Sequence, residues 1–230
     1  MWRQLVASSA LPAIGLLAIW QASRPRTKTP PPVRTVQNNS NQDLASGKLL
    51  VANPKLADPN FAQSVVVLVE YDEDRGAMGL ILNRRTKTPL SKVFPDVKGA
   101  KSDPVFEGGP VDKTGGLAIF RGNDKPDQSL AVVPGIWATG MKDRIEKAVA
   151  SGESPGNFRL YIGYSGWGPG QLEHEVELGG WSVLRATPGL LFDEDPDSLW
   201  QRMQHQSETR IAGLPRVNYF RLPMTMNGAP

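Results

Sequence analysis

The sequence predicts an α+β fold in a single compact domain, and three observations carry that prediction. Short apolar strands outnumber helices. The two kinds of element do not alternate regularly, which argues against a doubly wound parallel sheet. The chain of 230 residues holds 23 Gly and 20 Pro, a share that favours many turns and few long helices. Its apolar fraction of 40% is enough for one sizeable core.

Residues 1–22 come first. Leu5–Trp20 is an uncharged, mostly apolar run behind Arg3. Pro12 interrupts it, and it is a little short of the ~20 residues that span a bilayer. A basic start, an apolar stretch and a polar exit form a signal or anchor segment. Trp20 and Gln21 stand where a cleavage site wants small residues, so an uncleaved membrane anchor is the leading reading. Cleavage and export, or a cytosolic protein with a peripheral segment, are the alternatives. Arg24, Arg26, Lys28 and Arg34 outweigh Arg3, which places the rest of the chain on the cytoplasmic side under the positive-inside rule. Residues 23–46 are Pro-rich, then rich in Asn, Gln and Ser, and read as a linker.

The folded domain is expected over 47–207. Lys48–Ala52 is a short apolar strand. Ser64–Tyr71 is β-branched and nearly continuous in apolar character, as in a strand buried on both faces. Asp72–Gly76 is a charged turn, and Ala77–Asn83 returns as the second strand of a hairpin. Leu90–Phe94 is one helical turn after Pro89. Pro104–Glu107, Gly116–Phe120 and Leu130–Val133 are further strands. Thr139 is placed to cap a helix running to Ala150, with Gly152 just past its end. Phe158–Tyr164 is a strand. Gln171–Leu178 alternates like a strand, yet good helix formers fill it between Gly170 and Gly179, so a short helix is favoured. Trp181–Ala186 is the last strand. Asp195 caps a helix with Pro196 at its first position, running to about His205. Residues 208–230 lack periodicity and are expected to form a poorly ordered tail.

Charge and chemistry narrow the function. The net charge of +3 sits in the termini: residues 1–46 carry five basic residues against one acid, and 208–230 carry three against one. The span 47–207 holds 18 basic against 21 acidic residues, which argues against phosphate-neutralising nucleic-acid binding by the folded body. With no Cys, a disulfide scaffold, a Cys-ligated zinc, an iron–sulfur cluster and thiol catalysis are excluded. His174-Glu175-Val176-Glu177 lacks the second His of a zincin helix. Gly163-Tyr-Ser165-Gly-Trp167 misses a nucleophile elbow by one position. Neither a Walker A loop nor a dinucleotide fingerprint is present. Asp193–Asp197 and Asp72–Asp74 are dense in carboxylates. The first reads as a charged helix start and the second as a solvated turn. No cofactor or metal is expected, and no catalytic residues are assigned.

Several motifs remain, in this order: Gly47–Ala52, Leu56–Phe61, Glu70-Tyr71, Gly76–Arg84, Phe106-Glu107-Gly108-Gly109-Pro110-Val111, and Gly163–Glu173 closing with Trp181. Together they resemble the YqgE/AlgH family over about residues 47–205. The resemblance implies a bifurcated, partly barrel-like mixed sheet flanked by short helices, and no established reaction. One family member is linked to transcriptional control of exopolysaccharide production. Tyr71 stands where a His is common, so no acid–base or metal role carries over to it. Arg85 replaces a usual Pro.

In physical terms, Gly108, Gly109, Pro110, Gly166, Trp167 and Trp181 are structural, serving turns, close approaches and buried aromatic area. Asn83, Arg84, Glu107, Gln171 and Glu173 are the polar residues left over, and form the candidate ligand pocket. Gly168 and Gly170 form a candidate anion-binding turn at a helix start, where Glu173 is placed to cap its own helix. The leading function is a non-enzymatic binding or regulatory protein, tethered to a membrane, with an unknown protein or small-molecule partner. The alternatives are an enzyme or sensor acting on a small anion at the Gly166–Gly170 turn, and a transcriptional regulator that binds DNA directly.

Overall fold

The computed structural model describes residues 44–212, apart from Ala57 and Asp124. The anchor segment 1–22, the linker up to residue 43 and the tail beyond 212 lie outside the described residues. Among the described residues no helix is long and apolar enough to cross a membrane.

The strands are β1 (Lys48–Ala52), β2 (Val65–Asp72), β3 (Gly76–Ile81), β4 (Arg85–Pro89), β5 (Pro104–Glu107), β6 (Val111–Arg121), β7 (Leu130–Val133), β8 (Ile136–Thr139), β9 (Phe158–Trp167) and β10 (Trp181–Arg185). Among the described residues five helices accompany them: α1 (Leu90–Val93), α2 (Lys142–Ala150), α3 (Gln171–Glu177), α4 (Pro188–Leu191) and α5 (Pro196–Ala212). The sheet order is β10-β1-β2-β3-β9-β6-β8-β7, with β5 also on β9 and β4 on β5. Every pair is antiparallel except β5 with β9. This is the expected α+β domain.

Strand β9 is the branch point. At Tyr161 it pairs with β6 on one edge, through Leu117, and with β5 on the other, through Phe106. Further along, Ser165–Trp167 pairs with β3. The sheet is therefore bifurcated and mixed, as the resemblance implies. It is open rather than closed into a barrel: β7 lies against β2, but β7 and β10 are the free ends of its main path and β4 is the free edge of the branch. Two glycines permit the branch. A Cβ on Gly108 would stand 2.3 Å from the Gly163 carbonyl oxygen, and one on Gly163, at φ +69°, would stand 2.7 Å from that of Gly109. Only glycine lets the two backbones cross so closely.

Strand β2 is buried on both faces because the sheet separates two apolar clusters. Val65, Val67 and Val69 face one, with Leu80, Phe106, Tyr161, Phe192 and Leu199. Val66 and Leu68 face the other, with Phe61, Trp167, Leu172, Val176 and Trp181. A bulge between Leu68 and Glu70 shifts the register and increases the local twist. A third cluster lies under α1 and α2, through Leu90, Ile145 and Val149.

Several boundaries differ from the sequence reading, each for a physical reason. Strand β4 is polar and sits on an edge, where alternation is not required. Strand β8 follows the Pro134-Gly135 turn and completes a hairpin with β7. Helix α2 begins at Lys142 rather than beside Thr139. Thr139 belongs to β8, and its Oγ1 accepts from the Met141 N–H at 3.2 Å. Strand β9 continues through Gly166 and Trp167, so only 168–170 turn. Helix α5 runs past His205 to Ala212.

Candidate functional site

The region around α3 is organised by Glu175, a residue the sequence reading passed over. Trp167 ends β9 and Trp181 starts β10, so their indoles flank α3. Glu175 Oε2 accepts from Trp167 Nε1 at 3.0 Å and from Trp181 Nε1 at 2.8 Å. Its Oε1 accepts from Gln171 Nε2 at 3.0 Å, and Gln171 Oε1 accepts from the Gly168 N–H at 3.1 Å. Phe61 stacks on Trp167 with centroids 5.5 Å apart and meets Trp181 edge-on at 5.4 Å. The two indoles also meet edge-on, at 6.0 Å. A signal for this cluster is present in the sequence: two tryptophans whose N–H groups need acceptors when buried, flanking a helix that carries Gln171 and Glu175 one turn apart.

The expected candidates sit elsewhere or serve the scaffold. Asn83 Oδ1 accepts from the Val65 N–H and its Nδ2 donates to the Gln63 carbonyl, both at 2.9 Å, tying β3 to the loop before β2. Arg84 donates to the Ala62 carbonyl at 3.5 Å, and its own carbonyl accepts from the Glu107 N–H at 2.9 Å. Glu107 pairs with Lys113 at 3.0 Å. The structure thus brings Arg84 and Glu107 together, whereas Gln171 and Glu173 lie on α3, by the opposite end of β3. At the Gly168–Gly170 turn, the Gly168 N–H is taken by Gln171, and Gly170 adopts the left-handed conformation at φ +74°.

Glu173 does not cap α3. No side chain caps at Gly170, and both Glu173 carboxylate oxygens are buried without a hydrogen-bond partner. The carboxylate faces Tyr71. Burial, and then this carboxylate, hold the Tyr71 hydroxyl well above the ordinary tyrosine range. The Asp193–Asp197 cluster is accounted for locally: Asp193 pairs with Arg202, Asp197 with Arg85, and Asp195 accepts from the Ser198 hydroxyl at the start of α5.

A cavity of about 330 Å³ lies where β4, β5, the start of β9 and the α4–α5 link meet. Leu90, Phe106, Phe158, Leu160 and Phe192 supply apolar walls. Arg85, Asp103, Arg159 and Glu194 are its charged lining. None of the five pocket candidates lines it. Arg159 is 7% exposed. Its guanidinium carbon stands 4.9 Å from the Phe106 ring centroid and 5.9 Å from that of Phe192. Nε donates to the Pro155 carbonyl at 3.4 Å and Nη2 to that of Asp193, while Nη1 is buried with no partner. The adjacent Tyr161 hydroxyl is also without a partner, and burial pushes it up to about 12, with Arg159 opposing the shift. The period-two reading of β9 puts Arg159 on the face opposite Phe158 and Leu160. The distant Phe192 is what covers that face.

Comparison with known proteins follows the same outline. A family profile described as AlgH-like matches residues 49–212. A UPF0301 protein of Streptomyces avermitilis is 36% identical over 176 residues, covering 73% of this chain and 89% of the relative. One of Cupriavidus pinatubonensis is 39% identical over 158 residues, covering 66% and 82%. The solution structure of the AlgH protein from Pseudomonas aeruginosa superposes with a TM-score of 0.58 at 28% identity, covering 80% of this chain and 94% of that one.

The role of Glu175 is testable. Glu175→Leu strands two buried indole donors and is expected to cost about 2–6 kcal/mol, at ~1–3 per unsatisfied group. Glu175→Gln keeps an acceptor and is expected to lose less. Urea unfolding read by tryptophan fluorescence measures both, and a Leu variant as stable as the parent contradicts the clamp.

Proposed function

The chain belongs to the AlgH-like family, and from that footing we propose that it is a non-enzymatic binding or regulatory protein whose ligand site is the Arg159 cavity. One observation carries the reading: a cavity of about 330 Å³ with aromatic walls whose lining includes Arg159, a cation more than nine-tenths buried that has an unpartnered Nη1. Among the described residues no carboxylate forms an ion pair with it. Two backbone carbonyls and two aromatic faces hold the guanidinium in place. They neither neutralise it nor use all its donors. Leaving a buried charge uncompensated is costly, and a polar ligand held in the adjoining cavity would offset part of that cost. The volume is at the small end of the usual range for ligand cavities, ~300–1,000 Å³, and its apolar walls with a few polar groups fit that class.

The N-terminal residues supply the second half of the proposal. Residues 1–22 act as a membrane anchor and 23–46 as a tether, holding the 47–207 domain at the cytoplasmic face. The support is the apolar run behind Arg3 and the excess of basic residues after it.

Arg159→Met separates a ligand site from a structural strut. Replacing an uncompensated buried charge by an apolar side chain of similar length is expected to leave the melting temperature of the unliganded protein unchanged or raised. A loss above about 2 kcal/mol would make Arg159 a strut instead. The tether is tested by C-terminal fusions in a bacterial host. A green fluorescent reporter in the membrane fraction is expected to shine and an alkaline phosphatase reporter to stay inactive. The reverse pattern places the domain outside.

A further inference from the structure

From the free edge of β10 we infer an interaction surface and its partner: the same edge of a second copy of this chain, paired antiparallel so that two sheets join. The Arg159 cavity plays no part in it. The register fixes which backbone groups are free. The Asn53 N–H donates to the Gly180 carbonyl at one end of the β1–β10 ladder, and the Ala186 N–H donates to the Gly47 carbonyl at the other, at 2.8 and 3.3 Å. The pairing between them runs without a shift. Backbone groups alternate sides along an antiparallel strand, so Ser182 and Leu184 face β1. Trp181, Val183 and Arg185 turn their N–H and C=O groups outward. Among the described residues nothing hydrogen-bonds to those outward groups, and the elements packed most closely on β10 are β1 and α3.

The free edges of the sheet are treated differently. Proteins guard such edges against unwanted pairing with Pro, Lys, bulges or a covering segment. Strand β4 carries Lys87, Pro89 and a register shift. Strand β7 is covered: β2 lies against it, and a Cβ on Gly47 would run into the Val132 carbonyl. Strand β10 reads Trp-Ser-Val-Leu-Arg, with no Pro, no Lys and no bulge. Its own sequence specifies the partner. A two-fold axis beside Val183 sets Val183 opposite itself, Trp181 opposite Arg185 and Ser182 opposite Leu184, and it matches every outward N–H with an outward carbonyl. Arg185, the strand's one charge, then lies across from an indole, a favourable neighbour for a guanidinium. Moving the axis to Arg185 sets two guanidinium groups against each other, and moving it to Trp181 runs Val183 past the end of the partner strand. Trp181 and Val183 belong to the Phe61–Trp167 cluster, so the apolar layer on that face continues across the join.

The test uses the full chain in density-matched neutral detergent, read by sedimentation equilibrium from the micromolar to the hundred-micromolar range. A reversible dimer with a micromolar dissociation constant is expected, as befits a small interface. Val183→Pro removes an outward N–H and spares the β1 ladder. It is expected to weaken the dimer by on the order of tenfold or more with unchanged circular dichroism. Arg185→Pro does the same at the strand's end, should the first variant fail to fold. Because the chain has no Cys, one introduced thiol reports the register. Val183→Cys sets its two Cα atoms ~5.5 Å apart, within disulfide reach, and is expected to cross-link on mild oxidation. Ser182→Cys sets them diagonally at roughly 7–8 Å and is expected to cross-link at least tenfold more slowly. A monomer across the whole range, a dimer that both Pro variants leave unchanged, or equal cross-linking of the two thiols overturns the inference. A monomer whose Trp181, Val183 and Arg185 amides resist hydrogen exchange also overturns it, because another segment of the same chain then holds the edge.

Discussion

One carboxylate ties together the half of the molecule built on β10, β1, β2 and β3. Glu175 accepts two indole N–H groups with one oxygen and the Gln171 amide with the other. Its three partners come from the end of β9, the start of β10 and the first turn of α3. The bonds are to a charged acceptor and so roughly twice as strong as neutral ones. They fix the exit of the branch-point strand relative to the last strand of the sheet. The surrounding aromatic cluster, Phe61 with Trp167 and Trp181, excludes the water that would otherwise compete. Helix α3 is only seven residues long, too short to be stable alone, and the clamp together with burial of Leu172 and Val176 holds it in place.

Two buried charged groups, Glu175 and Arg159, are satisfied in opposite ways, and Glu173 beside Glu175 shares the unpaired state of Arg159. Around Glu175, both carboxylate oxygens and both indoles find partners. Around Arg159, one guanidinium nitrogen and a neighbouring phenol oxygen find none. Native proteins pair nearly all buried polar groups, so the second arrangement calls for an explanation where the first does not. The branch in the sheet supplies the geometry. Because β5 pairs with β9 only at Tyr161 and Ile162, the start of β9 on that side is met by β4, β5 and the α4–α5 link, and the cavity lies between them. The scaffold glycines, the bifurcation and the unpartnered arginine are thus consequences of one topology.

Much of the fold was legible in the sequence. The β2–β3 hairpin announced itself through a β-branched run and a charged turn, and α3 through helix formers between glycines. Boundaries failed where tertiary contacts decide them: the polar edge strand β4 carries no apolar alternation, and α5 extends past its last clear apolar periodicity. The site was less legible. Asn83 and Gln171 stood out as polar residues in glycine-rich motifs, and the structure uses both to satisfy backbone donors. The helix start points to Glu173 as the cap, whereas the spacing of Gln171 and Glu175, one helical turn apart, puts Glu175 where the indoles need an acceptor. Arg159 was hidden for a different reason. Alternation along β9 assigns it to the polar face, and only the packing of Phe106 and Phe192 turns that face inward.

The contrast between a saturated and an open polar cluster is the centre of the account, and side-chain hydrogen exchange read by nuclear magnetic resonance tests it most directly. In the ligand-free full chain, the indole protons of Trp167 and Trp181 are predicted to exchange slowly, near the limit set by global unfolding. The Arg159 Nη1 protons, which have no hydrogen-bond partner within normal distance, are predicted to exchange far faster. Protection of the Arg159 protons equal to that of the indoles would mean that the protein itself supplies the missing partner, and would contradict the account.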